Sequence, residues 1–510
     1  MIRITQGVHR SARLYPERAA TIFGDRHRTW AEFKDRVARL AAGLASQGVK
    51  PGDMIAVLAL NSDLYVELYF AAAWAGAVIV PGNTRWAAAE HIYAMKDSGA
   101  DVLLVDRNFV SMVDTISSKF PLRSVIFLDD GEAPNGMVSS EDLIASHEPA
   151  PDLCGSGDEM VAIFYTGGTT GRSKGVMLSH DNLFSNFVCS QVTSGRGGYQ
   201  RFLHSPPMFH LADASMVYGL TMIGGTHIVV PFFSPENVVR AIEAENVTDA
   251  VLVPTMLGML GDYVEKHGGD LSSVKSMTYG ASAISETVLV QAMKLFPNAI
   301  FRQAYGQTEL SPCATVLLPE DHKPQPNGKS YLRSAGRPMV GVEVRIADEN
   351  LVECPLGDVG EVIVRSPGIM IGYWNQPELT AQTIVDGWLR TGDAGYMDED
   401  GYLYLVDRVK DMIVSGGENV YSADVENALS SHPDILECAV IGIPHEKWGE
   451  QVHAIVRFKD GQSADEAGII AHCKELIANY KCPRSVEIWQ EPLPLSGAGK
   501  ILKTELRKPY

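Results

Sequence analysis

A chain of 510 residues with 45% hydrophobic and 21% charged side chains needs at least two domains, and its composition excludes disordered, collagen-like and disulfide-scaffold classes. Its 43 Lys and Arg against 62 Asp and Glu leave a net charge of −19, which excludes general nucleic-acid backbone binding and requires any anionic ligand to be held locally. Seven cysteines (Cys154, Cys189, Cys313, Cys354, Cys438, Cys473 and Cys482) stand without CxxC pairing and read as reduced, which points to a cytoplasmic protein.

In chain order, the N-terminal MIRITQGVHRSARLYPERAA lacks the apolar run of a secretory signal. The most apolar stretch, Phe70 to Val80, falls short of the roughly 20 residues that span a bilayer and predicts a buried helix running into a strand. From Pro51 onward, short β-rich runs alternate with amphipathic stretches, the pattern of βα units on a parallel sheet. Strands are expected from Asp53, Asp101, Ser124, Val161, Thr226, Ala250 and Ala299. Beyond Asn327, strand-like pieces from Val342, Gly360 and Tyr402 with Gly and Pro punctuation predict a β-rich subdomain, 327–408. After Arg408 come a strand, a glycine turn, a helix and a strand, then a helix near Ala464 to Ala478 and a strand from Ser485. The expected architecture is α/β: a large N-terminal domain, 1–408, of parallel βα-layered sheets plus the β-rich subdomain, and a small mobile α+β domain, 409–510.

The densest chemistry lies in YTGGTTGRSKG, Tyr165 to Gly175, between a predicted strand and a helix that begins near Asp181. Glycines let backbone N–H groups turn toward phosphate oxygens, threonine hydroxyls add donors and a magnesium ligand, and Lys174 adds charge. A Walker A loop is excluded, because Arg172 follows Gly171 and the GKS or GKT ending is missing. Four further segments stand out: YGQTE at Tyr305, GWLRTGD at Gly387, DRVKDMIVSGGENV at Asp407 and SGAGKILK at Ser496. YGQTE follows a predicted strand, at the carboxyl end where ligands of open α/β sheets collect. Asp393 closes a polar turn and offers a carboxylate that can accept from two hydroxyls. Taken singly, a lone Asp, Arg or terminal Lys reads as a surface charge.

Together, these five motifs in this order resemble the adenylate-forming superfamily of acyl-CoA synthetases, luciferases and peptide-synthetase adenylation domains over nearly the whole chain. The resemblance implies an ATP-, Mg2+- and coenzyme A-dependent ligase. The nucleotide site would comprise Thr166, Gly167, Gly168, Thr169, Thr170, Gly171 and Lys174, with Gly280 and Ala281 of YGAS along the adenine and acyl pocket. Ala304 and Gly306 flank Tyr305, which would pack on adenine; Thr308 would donate to the α-phosphate, and Glu309 would bind Mg2+ together with Thr166. Asp393 would take the ribose, Arg408 would reach the nucleotide, and Lys410 would be the hinge of the small domain. Gly416, Gly417 and Glu418 of SGGEN would face the pantetheine arm, and Lys500 would bridge the substrate carboxylate and the α-phosphate as charge builds between them.

In PPMFH, Pro206 to His210, the resemblance places the mouth of the acyl pocket, with His210 where amino-acid-activating relatives carry aspartate. A small wall at Ala212 leaves space for an alkyl chain or a ring, while a core-packing role for His210 is an equal alternative. The expected reaction is adenylation of a fatty or aromatic carboxylic acid followed by transfer to coenzyme A; the alternative is transfer of the acyl group to a carrier protein. Two departures from the family pattern are TGGTTG in place of TSGTTG, and Ser422 and Asp424 in place of proline and glutamate. The identity of the acid is not written in these residues, and oligomeric state, including a homodimer, is left open.

Overall fold

Short runs, most of them rich in apolar residues, form the inner strands of two large sheets in the computed structural model of the chain, which describes residues 2–510 apart from 167–172, 196, 283, 285, 326–327, 409–411, 416–417, 446–447 and 497–500. The first sheet orders its strands Val138–Ser139, Ser124–Phe127, Val102–Val105, Met54–Leu58, Val78–Pro81 and Met160–Thr166, all parallel, then Lys174–Ser179 and Gly372–Tyr373, both antiparallel. Strands such as Val102–Val105 and Val78–Pro81 are buried along their whole length, as a parallel sheet covered on both faces requires. The second sheet runs Arg26–Thr29, Ala19–Phe23, Thr226–Val229, Arg201–His204, Asp249–Leu252, Ser276–Gly280, Ile300–Gly306, Cys313–Leu317 and Arg337–Pro338, parallel except at its ends.

Helix Asp63–Trp74 lies in the core, with all 12 of its residues buried, confirming the expectation for the Phe70 to Val80 stretch. Two carboxylates on it, Asp63 and Glu67, are fully buried and are neutralised by Arg26, Arg28 and Arg36 at 2.5 to 3.3 Å. Removing one partner from such a cluster would leave a buried uncompensated charge. Among the described residues, no helix is long and apolar enough to cross a membrane.

A third, antiparallel sheet contains Glu343–Ala347, Gly360–Arg365, Trp388–Met397, Ile384–Val385 and Leu403–Arg408. The C-terminal region builds its own sheet and core: Ile413–Ser415, Glu418–Val420, Ile435–His445, Gly449–Phe458 and Ser485–Ile488, with helices Ser422–Ser430 and Glu466–Leu476 against it. The mixed α/β class with parallel sheets and a separate C-terminal domain is therefore the one expected.

The helix expected near Asp181 is present as His180–Ser194, capped by the Ser179 side chain accepting from Asn182 N–H. An unanticipated strand, Lys174–Ser179, precedes it and returns antiparallel to Met160–Thr166. One local expectation is corrected. Asp393 does not close a turn but lies within strand Trp388–Met397, where the register slips opposite Glu361 to Ile363. Gly392, at φ +70°, supplies the backbone geometry of that bulge, which re-aims the following side chain.

Candidate active site

Strand Ile300–Gly306 ends in a tight turn and a single 3-10 turn, Thr308–Leu310, both carrying the YGQTE residues at the carboxyl end of the parallel array. The turn is compact because Gly306 lies against the Pro312 carbonyl, which a Cβ there would meet at 2.0 Å. Gly280 pairs in register with Ala304 on the neighbouring parallel strand, and a Cβ on it would meet the Ala304 carbonyl at 2.2 Å. Both glycines thus have a backbone-packing reason to be small. Ala281, next in line, holds φ +66°, a left-handed conformation that a residue with a Cβ seldom adopts.

Two groups of sequence-selected residues converge around this turn. In the first, the Tyr305 hydroxyl donates to Asp393 Oδ2 at 2.7 Å, and both residues are buried. Asp393 stands directly opposite Arg408 in the antiparallel register, so the β-rich sheet delivers both to one place along the strand. The Thr391 hydroxyl accepts from Asp393 N–H at 3.1 Å and donates to the Val362 carbonyl, while Glu361 accepts from Arg390 and from Gly392 N–H, bracing the bulge. In the second group, Thr166 faces Lys174 across the hairpin that encloses the glycine loop. The Lys174 ammonium sits 5.1 Å from the Tyr373 ring centroid, and the Tyr373 hydroxyl donates to Glu309 Oε1 at 2.8 Å. The same strand is anchored by Tyr165, whose hydroxyl donates to Asp97 at 2.6 Å and whose pKa is raised by burial and by that carboxylate.

Glu309 and Thr166 are hard oxygen donors, the kind Mg2+ accepts when phosphates fill the rest of its coordination. One bond from Tyr373 leaves a carboxylate with further acceptor capacity, so Glu309 fits such an ion. His210 is half-buried as the N-cap of helix Leu211–Ile223, its Nδ1 accepting from Ala212 N–H at 3.2 Å. Gly167, Gly168, Thr169, Thr170, Gly171, Lys410, Gly416, Gly417 and Lys500 lie outside the described residues, as do the side chains of Arg408 and Glu418. The sequence reading missed Tyr373 and Gln307, which donates to the Thr391 carbonyl at 3.4 Å. Gln307 lay inside a recognised motif, whereas Tyr373 sits 64 positions beyond Glu309 and carried no local signal.

The AMP-binding enzyme family matches residues 8–374, and the AMP-binding enzyme C-terminal domain matches 424–500. The chain belongs to the AMP-binding enzyme family. Among relatives of this AMP-binding enzyme is the feruloyl-CoA synthase of an Amycolatopsis species, 38% identical over 502 residues and 98% of each chain. Another is the fatty acid–acyl-carrier-protein ligase ScoC of Streptomyces coeruleorubidus, 34% identical over 497 residues, 96% of this chain and 93% of the other. A solved o-succinylbenzoate coenzyme A synthetase, MenE from Bacillus subtilis in complex with ATP and magnesium ion, superposes with a TM-score of 0.84 at 29% identity, covering 98% of both chains. The chain is accordingly an AMP-forming acid–thiol ligase by class, from a family that uses ATP, Mg2+ and coenzyme A.

Proposed function

We propose that this enzyme activates a fatty or aromatic carboxylic acid as its acyl-AMP and transfers the acyl group to coenzyme A. The observation that carries the reading is the convergence on one turn of Tyr305 with Asp393 and of Lys174, Tyr373 and Glu309, in a chain aligned end to end with named CoA ligases.

A carboxylate is a poor acyl donor because its leaving group would be oxide. Attack of its oxygen on the α-phosphorus of ATP expels pyrophosphate and leaves AMP as a good leaving group, after which the thiol attacks the acyl carbon. Asp393, fixed by Tyr305, holds the ribose hydroxyls; Thr308 donates to the α-phosphate; Lys174 and the threonines of the glycine loop grip the outer phosphates. Lys500 bridges the carboxylate and the α-phosphate, where charge concentrates as the new bond forms. Glu309 and Thr166 would hold Mg2+, which when bound would neutralise charge on the departing pyrophosphate. No nucleophile from the protein is needed, since positioning and charge stabilisation suffice. The small domain then turns about Lys410, and the SGGEN loop with Gly416, Gly417 and Glu418 meets the thiol arm. His210 and Ala212 bound the acyl pocket, with no aspartate to take an α-amino group.

One relative, ScoC, supports the second reading, in which a carrier protein replaces coenzyme A. A panel of fatty and aromatic acids incubated with protein, ATP, Mg2+ and coenzyme A decides between them. Acyl-CoA, AMP and pyrophosphate are expected. Acyl-AMP that coenzyme A leaves untouched, but a phosphopantetheinylated carrier discharges, establishes the second reading; ADP and orthophosphate contradict both.

A further inference from the structure

Between strand Arg201–His204 and helix Leu211–Ile223, the loop 205–210 contains Pro206 and Pro207, which have no N–H to offer a ladder. Its backbone is held instead by side chains from a distant part of the chain. The Asn61 carboxamide donates from Nδ2 to the Pro206 carbonyl at 2.8 Å and accepts Met208 N–H at Oδ1 at 2.8 Å, a two-point grip on one dipeptide step. The Tyr69 hydroxyl donates to the Met208 carbonyl at 2.6 Å. Asn61 is 4% exposed, and Tyr69 and Met208 are fully buried, so these bonds form away from competing water. Asn61 is itself fixed, since its N–H donates to the Pro231 carbonyl at 3.1 Å. One residue therefore ties the segments that follow three parallel strands, Met54–Leu58 of one large sheet and Arg201–His204 and Thr226–Val229 of the other.

The ends of the loop are joined as well. His204 Nδ1 lies 2.8 Å from Asp213 Oδ2, His204 Nε2 lies 2.9 Å from His227 Nδ1, and His227 Nε2 lies 3.0 Å from the Thr221 hydroxyl, all fully buried. Thr221 donates to the Val217 carbonyl at 2.9 Å, so toward His227 it accepts. His227, held neutral by burial, then spends its one N–H on Thr221 and presents a bare Nδ1 to the His204 Nε2–H. A stapled loop of this kind is fixed before any ligand arrives.

We propose that Asn61 and Tyr69 are positioning residues that preset the loop 205–210, and with it His210 and Ala212, so that the enzyme's selectivity among acids depends on this clamp. The inference rests on the reading of His210 and Ala212 as the acyl-pocket wall. It is tested with Asn61→Ala, Tyr69→Phe and, as a probe of the pocket reading itself, Ala212→Leu, each assayed with ATP and two acids of different size that the wild type accepts. Losing the grip leaves buried backbone groups unpaired, which is expected to raise the KM for acid about tenfold in Asn61→Ala. The ratio of kcat/KM between the two acids shifts with it, less in Tyr69→Phe, while the KM for ATP stays within about twofold. A merely structural loss lowers kcat for both acids alike and leaves the ratio in place. An unchanged ratio in both clamp variants, with Ala212→Leu shifting it, overturns the clamp; an unchanged ratio in all three overturns the pocket reading. Should Asn61→Ala fail to fold, Tyr69→Phe, which removes one oxygen and keeps the ring, decides alone.

Discussion

Tyr305 and Asp393 stand 88 positions apart in sequence and meet through one hydrogen bond in a buried setting. A hydrogen bond to a charged group is worth about 1.5 to 3 kcal/mol, enough to orient a carboxylate against two hydroxyls. Tyr305→Phe keeps the ring and removes that restraint, so the KM for ATP is expected to rise about tenfold with the KM for acid little changed, as steady-state kinetics would show. Tyr305, Asp393, Thr166, Lys174 and Glu309 were picked out by five motifs in order and the family they resemble; singly, most of them read as ordinary turn or surface residues. Their mutual partners were not legible. Tyr373, which links Lys174 to Glu309, comes from a two-residue strand whose pairing with Val176 and Met177 no local pattern announces. The same limit hid the packing reason for Gly280 and Gly306, which depends on carbonyls of another strand or of a returning loop.

At the scale of elements, the seven strands expected from Asp53 to Ala299 were legible as short β-rich runs bounded by turn residues, and all seven are present, whereas the parallel strands Ala19–Phe23 and Arg201–His204 were not anticipated. The antiparallel return Lys174–Ser179 was not, since its six residues directly abut a capped helix and the glycine loop masks the turn. This hairpin changes what Lys174 does: it belongs to a strand whose neighbour Gly372–Tyr373 presses an aromatic ring against its ammonium. Tyr373→Phe keeps that ring while freeing the Glu309 carboxylate. The expected result is an acid-dependent pyrophosphate exchange rate reduced about fivefold and recovered at higher Mg2+, measured by titrating Mg2+ against the exchange rate. Gly392 is a second such element: the bulge it permits turns an expected turn residue, Asp393, into a strand residue opposite Arg408.

For the molecule as a whole, buried histidines are one source of lost stability in acid. His91 and His180 are buried at 4% and 3% exposure, and burial pushes each pKa down to about 4. The folded chain therefore binds their protons less tightly than the unfolded chain, so the stabilisation is complete above pH about 6.5 and is lost as pH falls toward 4, by roughly 3 kcal/mol for each. A thermal unfolding midpoint that falls steadily from pH 7 to pH 5, with the fall lessened in His91→Gln, is the expected observation. The proposed chemistry divides its two half-reactions between the large body and the small domain. Ser496, four residues before Lys500, accepts at its carbonyl from Arg85 of the large body at 2.6 Å, and Asp424 of the small domain faces Arg333 at 3.9 Å. These contacts join the small domain, at Ser496 and Asp424, to the large body. The most direct test is Lys500→Ala assayed in two separate half-reactions: acid-dependent exchange of pyrophosphate with ATP should be abolished, while supplied acyl-AMP should still react with the thiol at close to the wild-type rate. Equal loss of both half-reactions, or exchange that survives, would contradict the account.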